Sequence, residues 1–307
     1  MRKNLTTAVT TRTSAPFFIV GAQRSGTTMF RLMLNQHPEL AVPFESGFIT
    51  IFYRRLGEYG DLTTEENVRR LLGDIAEFPL VKKGGYVEDV EAILAHPIAS
   101  YADLVNAIFK VYAWRTEKVR WGDKTPGYVT DLEVLWTLFP GCLIIHLVRD
   151  GRDVALSNQG IAWGIHSLPR AAADWRWKTM LGHKVGAVLG EHYLEQCYED
   201  LVLRPEETLR RVCDFLQVRF DPDMLAYHVD AQNQIPKESL RWHRNSVRAP
   251  DTSLVYGWKE KMSRADRIIF EQIAGDALET FGYERQHHQS TWGSRFKSLY
   301  YATLRRW

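Results

Sequence analysis

A chain of 307 residues, 45 % hydrophobic and 25 % charged, has enough apolar mass for a packed soluble domain and too little bias for a disordered or fibrous one. Its net charge of +2 gives no reason to expect a nucleic-acid partner, and no window reaches the roughly 18 consecutive apolar residues of a membrane span. Its three cysteines, Cys142, Cys197 and Cys213, lie in apolar segments without metal-ligand spacing, which points to a reduced, cytoplasmic protein with no metal centre.

Residues 1–15 carry Arg2, Lys3 and Arg12 among threonines and lack the apolar core of a signal peptide, so a disordered tail is expected there. Phe17-Phe18-Ile19-Val20 is too short for a helix and reads as a buried strand. Gly21 breaks it, and Ala22-Gln23-Arg24-Ser25-Gly26-Thr27-Thr28 leads into a helix with Met29, Phe30, Leu32, Met33 and Leu34 at helical spacing. Strand, glycine-bracketed loop and helix N-terminus together aim backbone N–H groups at one spot, which suits a phosphate. Leu40-Ala41-Val42 is a short apolar segment that places Glu45 near a further strand end. Residues 46–116 read as a helical insertion, with apolar stripes at Phe48, Ile49, Phe52 and Leu56 and again at Tyr101, Leu104, Val105, Ile108, Phe109 and Tyr112.

A second central strand is expected over 119–122, ending in Asp123-Lys124-Thr125-Pro126, with a helix following from Tyr128 to Phe139. Cys142 to Val148 is apolar enough for a strand covered on both faces, with His146 as a core residue. It ends in Arg149-Asp150-Gly151-Arg152-Asp153, and the next helix contains Ser157. Further expectations are a helix over 171–190, a strand over 192–198, a helix from Pro205 to Leu216, an ordered aperiodic loop over 233–258 and a helix from Arg264 to Phe281. The pattern is an α/β fold: a P-loop-like parallel sheet flanked by helices, one domain over 16–284.

The loop departs from a nucleotide P-loop at one position. In G-x-x-x-x-G-K-[ST] a lysine follows the second glycine; here Thr27 stands there, and the cation is Arg24 inside the loop. Loss of that lysine argues against a P-loop kinase. GAQRSGTT followed by a helix, HPEL and a glutamate resembles the phosphosulfate loop of the sulfotransferases that use 3′-phosphoadenosine 5′-phosphosulfate (PAPS) as donor. The Arg-Ser-Gly-Thr-Thr variant is similar to that of bacterial and protein-tyrosine sulfotransferases. The resemblance implies that Arg24, Ser25, Gly26, Thr27 and Thr28 hold the 5′ end of the donor, and that Arg149 and Ser157 hold its 3′-phosphate. It further implies a nucleotide contact from Tyr198, and phosphate or nucleotide contacts from Ser253 and Lys259 in a closing loop. Glu45 would be the base and Lys124 the cation at the departing oxygen, with Arg24 assisting, and no metal is implied.

Two departures from the tyrosine sulfotransferases bear on the acceptor: Phe48 lies where they carry an arginine, and Gly160-Ile161 where they carry another. A saccharide, glycolipid, small alcohol or phenol is therefore favoured over peptidyl-tyrosine as the hydroxyl-bearing acceptor. Residues 285–307 hold five cations and no acid, with Trp292, Phe296, Leu299, Tyr300, Leu304 and Trp307 on one helical face. Such a helix suits peripheral membrane contact, docking on the core or a homodimer interface.

Overall fold

The computed structural model describes residues 15–286, so the tail expected over 1–15 and the helix expected over 285–307 fall almost wholly outside the described residues. Five strands form one sheet: β1 (Phe17–Val20), β2 (Leu40–Ala41), β3 (Arg120–Lys124), β4 (Leu143–Val148) and β5 (Tyr193–Cys197). Their order is β2-β3-β1-β4-β5 and every pairing is parallel. The chain leaves β1 outward to one side and returns to build β4 and β5 on the other. In open parallel sheets a reversal of this kind opens a crevice at the carboxyl ends of the strands.

Helix α1 (Thr27–Asn35) follows β1. Between β2 and β3 lie α2 (Ile49–Tyr53), α3 (Glu65–Glu77), α4 (Pro79–Gly84), α5 (Val90–Leu94) and α6 (Tyr101–Arg115), which make up the expected helical insertion. The segment expected to be one helix over 128–139 is instead a 3₁₀ turn, Pro126–Thr130, and then α7 (Leu132–Leu138). After β4 come α8 (Gly151–Gln159) and α9 (Leu168–Leu189), and after β5 come α10 (Tyr198–Leu203) and α11 (Pro205–Leu216). The aperiodic stretch after residue 220 is built of short 3₁₀ turns, followed by α12 (Trp258–Lys261) and α13 (Arg264–Thr280).

Because side chains alternate along a strand, β1 feeds two cores. Phe18 and Val20 pack with the insertion, and Phe17 and Ile19 pack with α1 and α11. Phe109 of α6 stacks on Trp121 of β3 with ring centroids 4.6 Å apart, and Trp121 meets Phe18 edge-on at 5.8 Å. The aromatic stripe of α6 is thus the seam that fastens the insertion to the sheet.

One boundary shift matters for the site. The strand expected to stop at Gly122 runs on through Asp123 and Lys124, which pair with Phe18 and Ile19 of β1. Charged residues rarely end a central strand buried on both faces, so the sequence pattern stopped short. Here both are fully buried and partnered.

Candidate active site

All five strand ends contribute to one place. The β1–α1 loop turns back on itself through Ser25 N–H to Ala22 O (3.2 Å) and is tied to the end of β3 by Gly21 N–H to Pro126 O (3.1 Å). Gly26 caps α1 at φ +91°, a conformation glycine adopts freely. A Cβ there would land in the ring of Tyr198, so the loop and the end of β5 can approach only because the residue is glycine. No side chain caps α1 and its first turn has no acid, which leaves its N-terminal dipole for a ligand. The Ser25 side chain is buried, and among the described residues its Oγ has no hydrogen-bond partner.

Arg24 leaves the loop with φ +73°. Its Nε donates to Ser157 Oγ (3.1 Å) and its Nη1 to Trp242 O (3.3 Å). Arg149, just past β4, donates through Nη2 to Leu254 O (2.8 Å) and through Nη1 to Arg24 O (3.4 Å). Its guanidinium lies 4.4 Å from the Tyr198 ring centroid, a cation–π distance, and its Nε is buried without a partner among the described residues. The backbone behind it is fixed: Trp175 Nε1–H donates to Arg149 O (3.0 Å), and Asp150 N–H donates to Glu199 Oε1 (3.0 Å). Burial, and secondly the charge of Arg149, lowers the pKa of Arg24. Two mutually repelling guanidinium groups side by side are what an oxyanion would relieve.

The arrangement differs from two clamps at opposite ends. Arg24 reaches out of its own loop to Ser157, and Arg149 lines the same cavity. Of the loop, Gly26, Thr27 and Thr28 line the same cavity. The cavity measures about 250 Å³, and Glu45 is the one carboxylate among the described residues that line it.

Glu45 and Lys124 meet at the other wall. Lys124 Nζ donates to Glu45 Oε2 at 2.8 Å; the lysine is fully buried, while 29 % of the glutamate side chain remains exposed to whatever enters. Tyr86 Oη–H bonds the carbonyls of Phe44 (3.0 Å) and Glu45 (2.8 Å), holding the stretch in place. The next residue on each side repeats the link: Ser46 Oγ–H donates to Asp123 Oδ2, with Thr125 and Tyr128 around it. Burial pushes the Asp123 carboxyl up to about 7, against the opposing effects of Ser46 and Lys124.

Of the other residues expected here, Tyr198 and Ser157 line the cavity, and Ser253 and Lys259 do not. Ser253 is turned onto its own loop, where N–H and Oγ–H both donate to Asp251 Oδ1 (2.9 and 2.6 Å). Lys259 lies on the outer side of α12, 3.7 Å from Glu284, while its neighbour Trp258 takes the buried side. Leu254 is the member of that segment that reaches the cavity. The main residue absent from the sequence reading is His243, which lines the cavity and meets the Phe44 ring edge-on at 6.1 Å. Burial, and then the charges of Lys124, Arg24 and Arg31, push its pKa down to about 3, so the imidazole is uncharged near neutral pH. Its one signal was membership of the aperiodic, polar–aromatic segment 233–258. No spacing tied it to Glu45.

A parallel sheet that gathers its strand ends around a glycine loop, two arginines and a glutamate–lysine pair defines a P-loop-like protein built to hold anionic groups. The chain belongs to the sulfotransferase family, whose model matches residues 16–222. It is 25 % identical over 221 residues to protein-tyrosine sulfotransferase A of Caenorhabditis elegans, covering 70 % of this chain and 53 % of that protein. It is 24 % identical to nodulation protein NoeE of Sinorhizobium fredii, covering 87 % of this chain and 66 % of that one. The chain thus spans about half to two thirds of the length of these two relatives. Among solved structures, the sulfotransferase domain of the Synechococcus PCC 7002 olefin synthase superposes with a TM-score of 0.62 at 26 % identity, covering 88 % of this chain and 94 % of that domain. Among the described residues, no helix is long and apolar enough to cross a membrane.

Proposed function

We propose that the protein transfers a sulfuryl group from PAPS to a hydroxyl of an acceptor, without a metal, leaving adenosine 3′,5′-bisphosphate. The observation that carries this is a pair of buried donors without partners among the described residues, Arg149 Nε in the cavity that Glu45 also lines and Ser25 Oγ in the loop between two residues that line it. Buried polar groups are normally satisfied, so two unmet donors at strand ends favour an anionic ligand. The residues present fit a donor with phosphate at each end. The loop N–H groups, Ser25, Thr27 and Thr28 would take the 5′ end, and Arg149, Ser157 and Arg24 the 3′-phosphate.

In this reading the acceptor oxygen forms a bond to sulfur as the bond from sulfur to the 5′-phosphate oxygen breaks. The hydroxyl proton passes to the Glu45 carboxylate. The electron pair departs on the bridging oxygen, where the Lys124 ammonium offsets the charge. Lys124 also orients the base: Glu45 Oε2 is held by the lysine, and among the described residues no hydrogen bond is made to Oε1, the oxygen available to the acceptor. His243, uncharged, offers a hydrogen bond to the acceptor without adding charge.

A saccharide, glycolipid, small alcohol or phenol acceptor is the primary reading, and a peptidyl-tyrosine acceptor is favoured by the name of the nematode relative. The test is transfer of ³⁵S from labelled donor into a panel holding oligosaccharides, phenols and tyrosine peptides. Label in none of them, with adenosine 3′,5′-bisphosphate not bound either, refutes the reading.

A further inference from the structure

Phe44 and Glu45 face different cavities. Glu45 lines the one described above, and Phe44 lines a second, of about 600 Å³. Four cations line the second cavity, Arg31, Lys83, Lys118 and Lys237, against Asp230, the single carboxylate among the described residues that line it. Asp230 spends its oxygens on amides, accepting from Asn233 Nδ2 (2.6 Å) and Gln234 Nε2 (3.5 Å). Arg31 is 1 % exposed and sits one turn along α1 from the phosphate-type loop. It donates to Val42 O (3.0 Å) and Gln234 O (2.9 Å), and its Nε has no partner among the described residues. Lys118 Nζ reaches only carbonyls, those of Asn35 and Leu40, apart from a long contact to Asn35 Oδ1 at 3.4 Å. Burial, and then the charge of Arg31, pushes its pKa down to about 8. A buried guanidinium and a half-buried ammonium thus face one space with no carboxylate between them, and two exposed lysines stand at its margin. Such a cluster is costly unless an anion joins it.

We propose that this second cavity is an oxyanion site, taking a carboxylate or phosphate group between Arg31 and Lys118, with Lys83 and Lys237 closing on it. Two sources fit that chemistry: the distal end of an acceptor whose hydroxyl lies at Glu45, or a free anion acting from the far side of Phe44. The site stands on the cation cluster and does not depend on sulfuryl transfer.

The probe is inorganic pyrophosphate, titrated calorimetrically into the full chain saturated with adenosine 3′,5′-bisphosphate. Pyrophosphate binds the wild type, and the double variant K83Q/K237Q binds it about tenfold more weakly, because two charges are lost at a partly screened margin. Nucleotide affinity and the melting temperature of that variant stay unchanged, since both lysines are exposed. No binding to the nucleotide-loaded protein, or equal binding by wild type and double variant, overturns the site. Competition between pyrophosphate and the acceptor in turnover supports the site and gives the acceptor as the source; inhibition that acceptor does not relieve supports it and gives a free anion. Nucleotide that fails to bind counts against the donor assignment alone; the titration is then made on the nucleotide-free chain, where the difference between wild type and double variant still reports the second cavity.

Discussion

Arg149→Gln separates the two ends of the donor. The wild-type side chain is anchored by two carbonyls, Leu254 O and Arg24 O, which leaves Nε as the buried donor without a partner. If Nε and the face of the guanidinium beside Ser157 meet the 3′-phosphate, the variant loses one charge-assisted hydrogen bond and most of one charge. A bond of that kind contributes about 1.5–3 kcal/mol, or roughly 10- to 150-fold in affinity. The measurement is calorimetric titration of wild type and variant with adenosine 3′,5′-bisphosphate and with adenosine 5′-phosphate. Affinity for the bisphosphate falls by that factor, while affinity for the monophosphate changes by about threefold or less, within the error of such contact arithmetic. Freed carbonyls at Leu254 and Arg24 are a structural cost, so melting of the ligand-free variant is recorded alongside. Equal weakening of both nucleotides would place Arg149 elsewhere and refute the assignment. Ser157→Ala should show the same selective loss, since its hydroxyl is held by Arg24 on that side of the cavity.

Glu45→Gln keeps the shape of the side chain and removes the proton acceptor; turnover falls by roughly 10²–10⁴ with bisphosphate affinity little changed, and undiminished turnover removes Glu45 as base. Gly26→Ala puts a Cβ into the Tyr198 ring at a backbone conformation that alanine disfavours, costing on the order of 1–3 kcal/mol in denaturant melts and abolishing nucleotide binding; a variant that binds normally contradicts the loop geometry. Asp123 titrates near 7 folded against 3.8 as a free group, so between those values the folded state holds a proton that the unfolded state has lost, and stability declines as pH rises through the window. Asp123→Asn removes that decline, flattening the slope by up to about 1.4 kcal/mol per pH unit; urea melts across the window with parallel slopes for wild type and variant refute the buried, protonated carboxyl.

The sheet was legible because its two central strands are apolar on both faces. Phe17–Val20 and Leu143–Val148 admit no other reading, and their register alone brings the β1 loop beside Arg149. The glycine loop was legible because a phosphate site needs particular backbone conformations, and Gly26 is the residue type that permits one of them. What failed to show was whatever depends on contacts across long sequence separations. The Arg24–Ser157 bond joins residues 133 apart, and nothing local says that the arginine leaves its own loop. Ser253 and Lys259 were expected by resemblance; Ser253 is turned onto Asp251 two residues away, and Lys259 lies on an exposed face of α12 near Glu284. His243 lies in a segment without periodicity, and periodicity is the signal from which position can be read.

The glutamate–lysine pair shows how two segments far apart in sequence are tied together. Glu45 and Ser46 are consecutive, as are Asp123 and Lys124, and the two short segments are tied twice, by Lys124 to Glu45 and by Ser46 to Asp123. In a strand, Asp123 and Lys124 point to opposite faces, so the two bonds fix the β3 end from both sides of the sheet. The outer bond is buried around a carboxyl that burial holds toward its neutral form, while the inner one keeps the glutamate partly open to the cavity. A charged sequence at a strand end looks like the end of order. Here the charges continue the ladder, and that continuation is what lets a buried lysine hold a glutamate at a fixed place on the cavity wall.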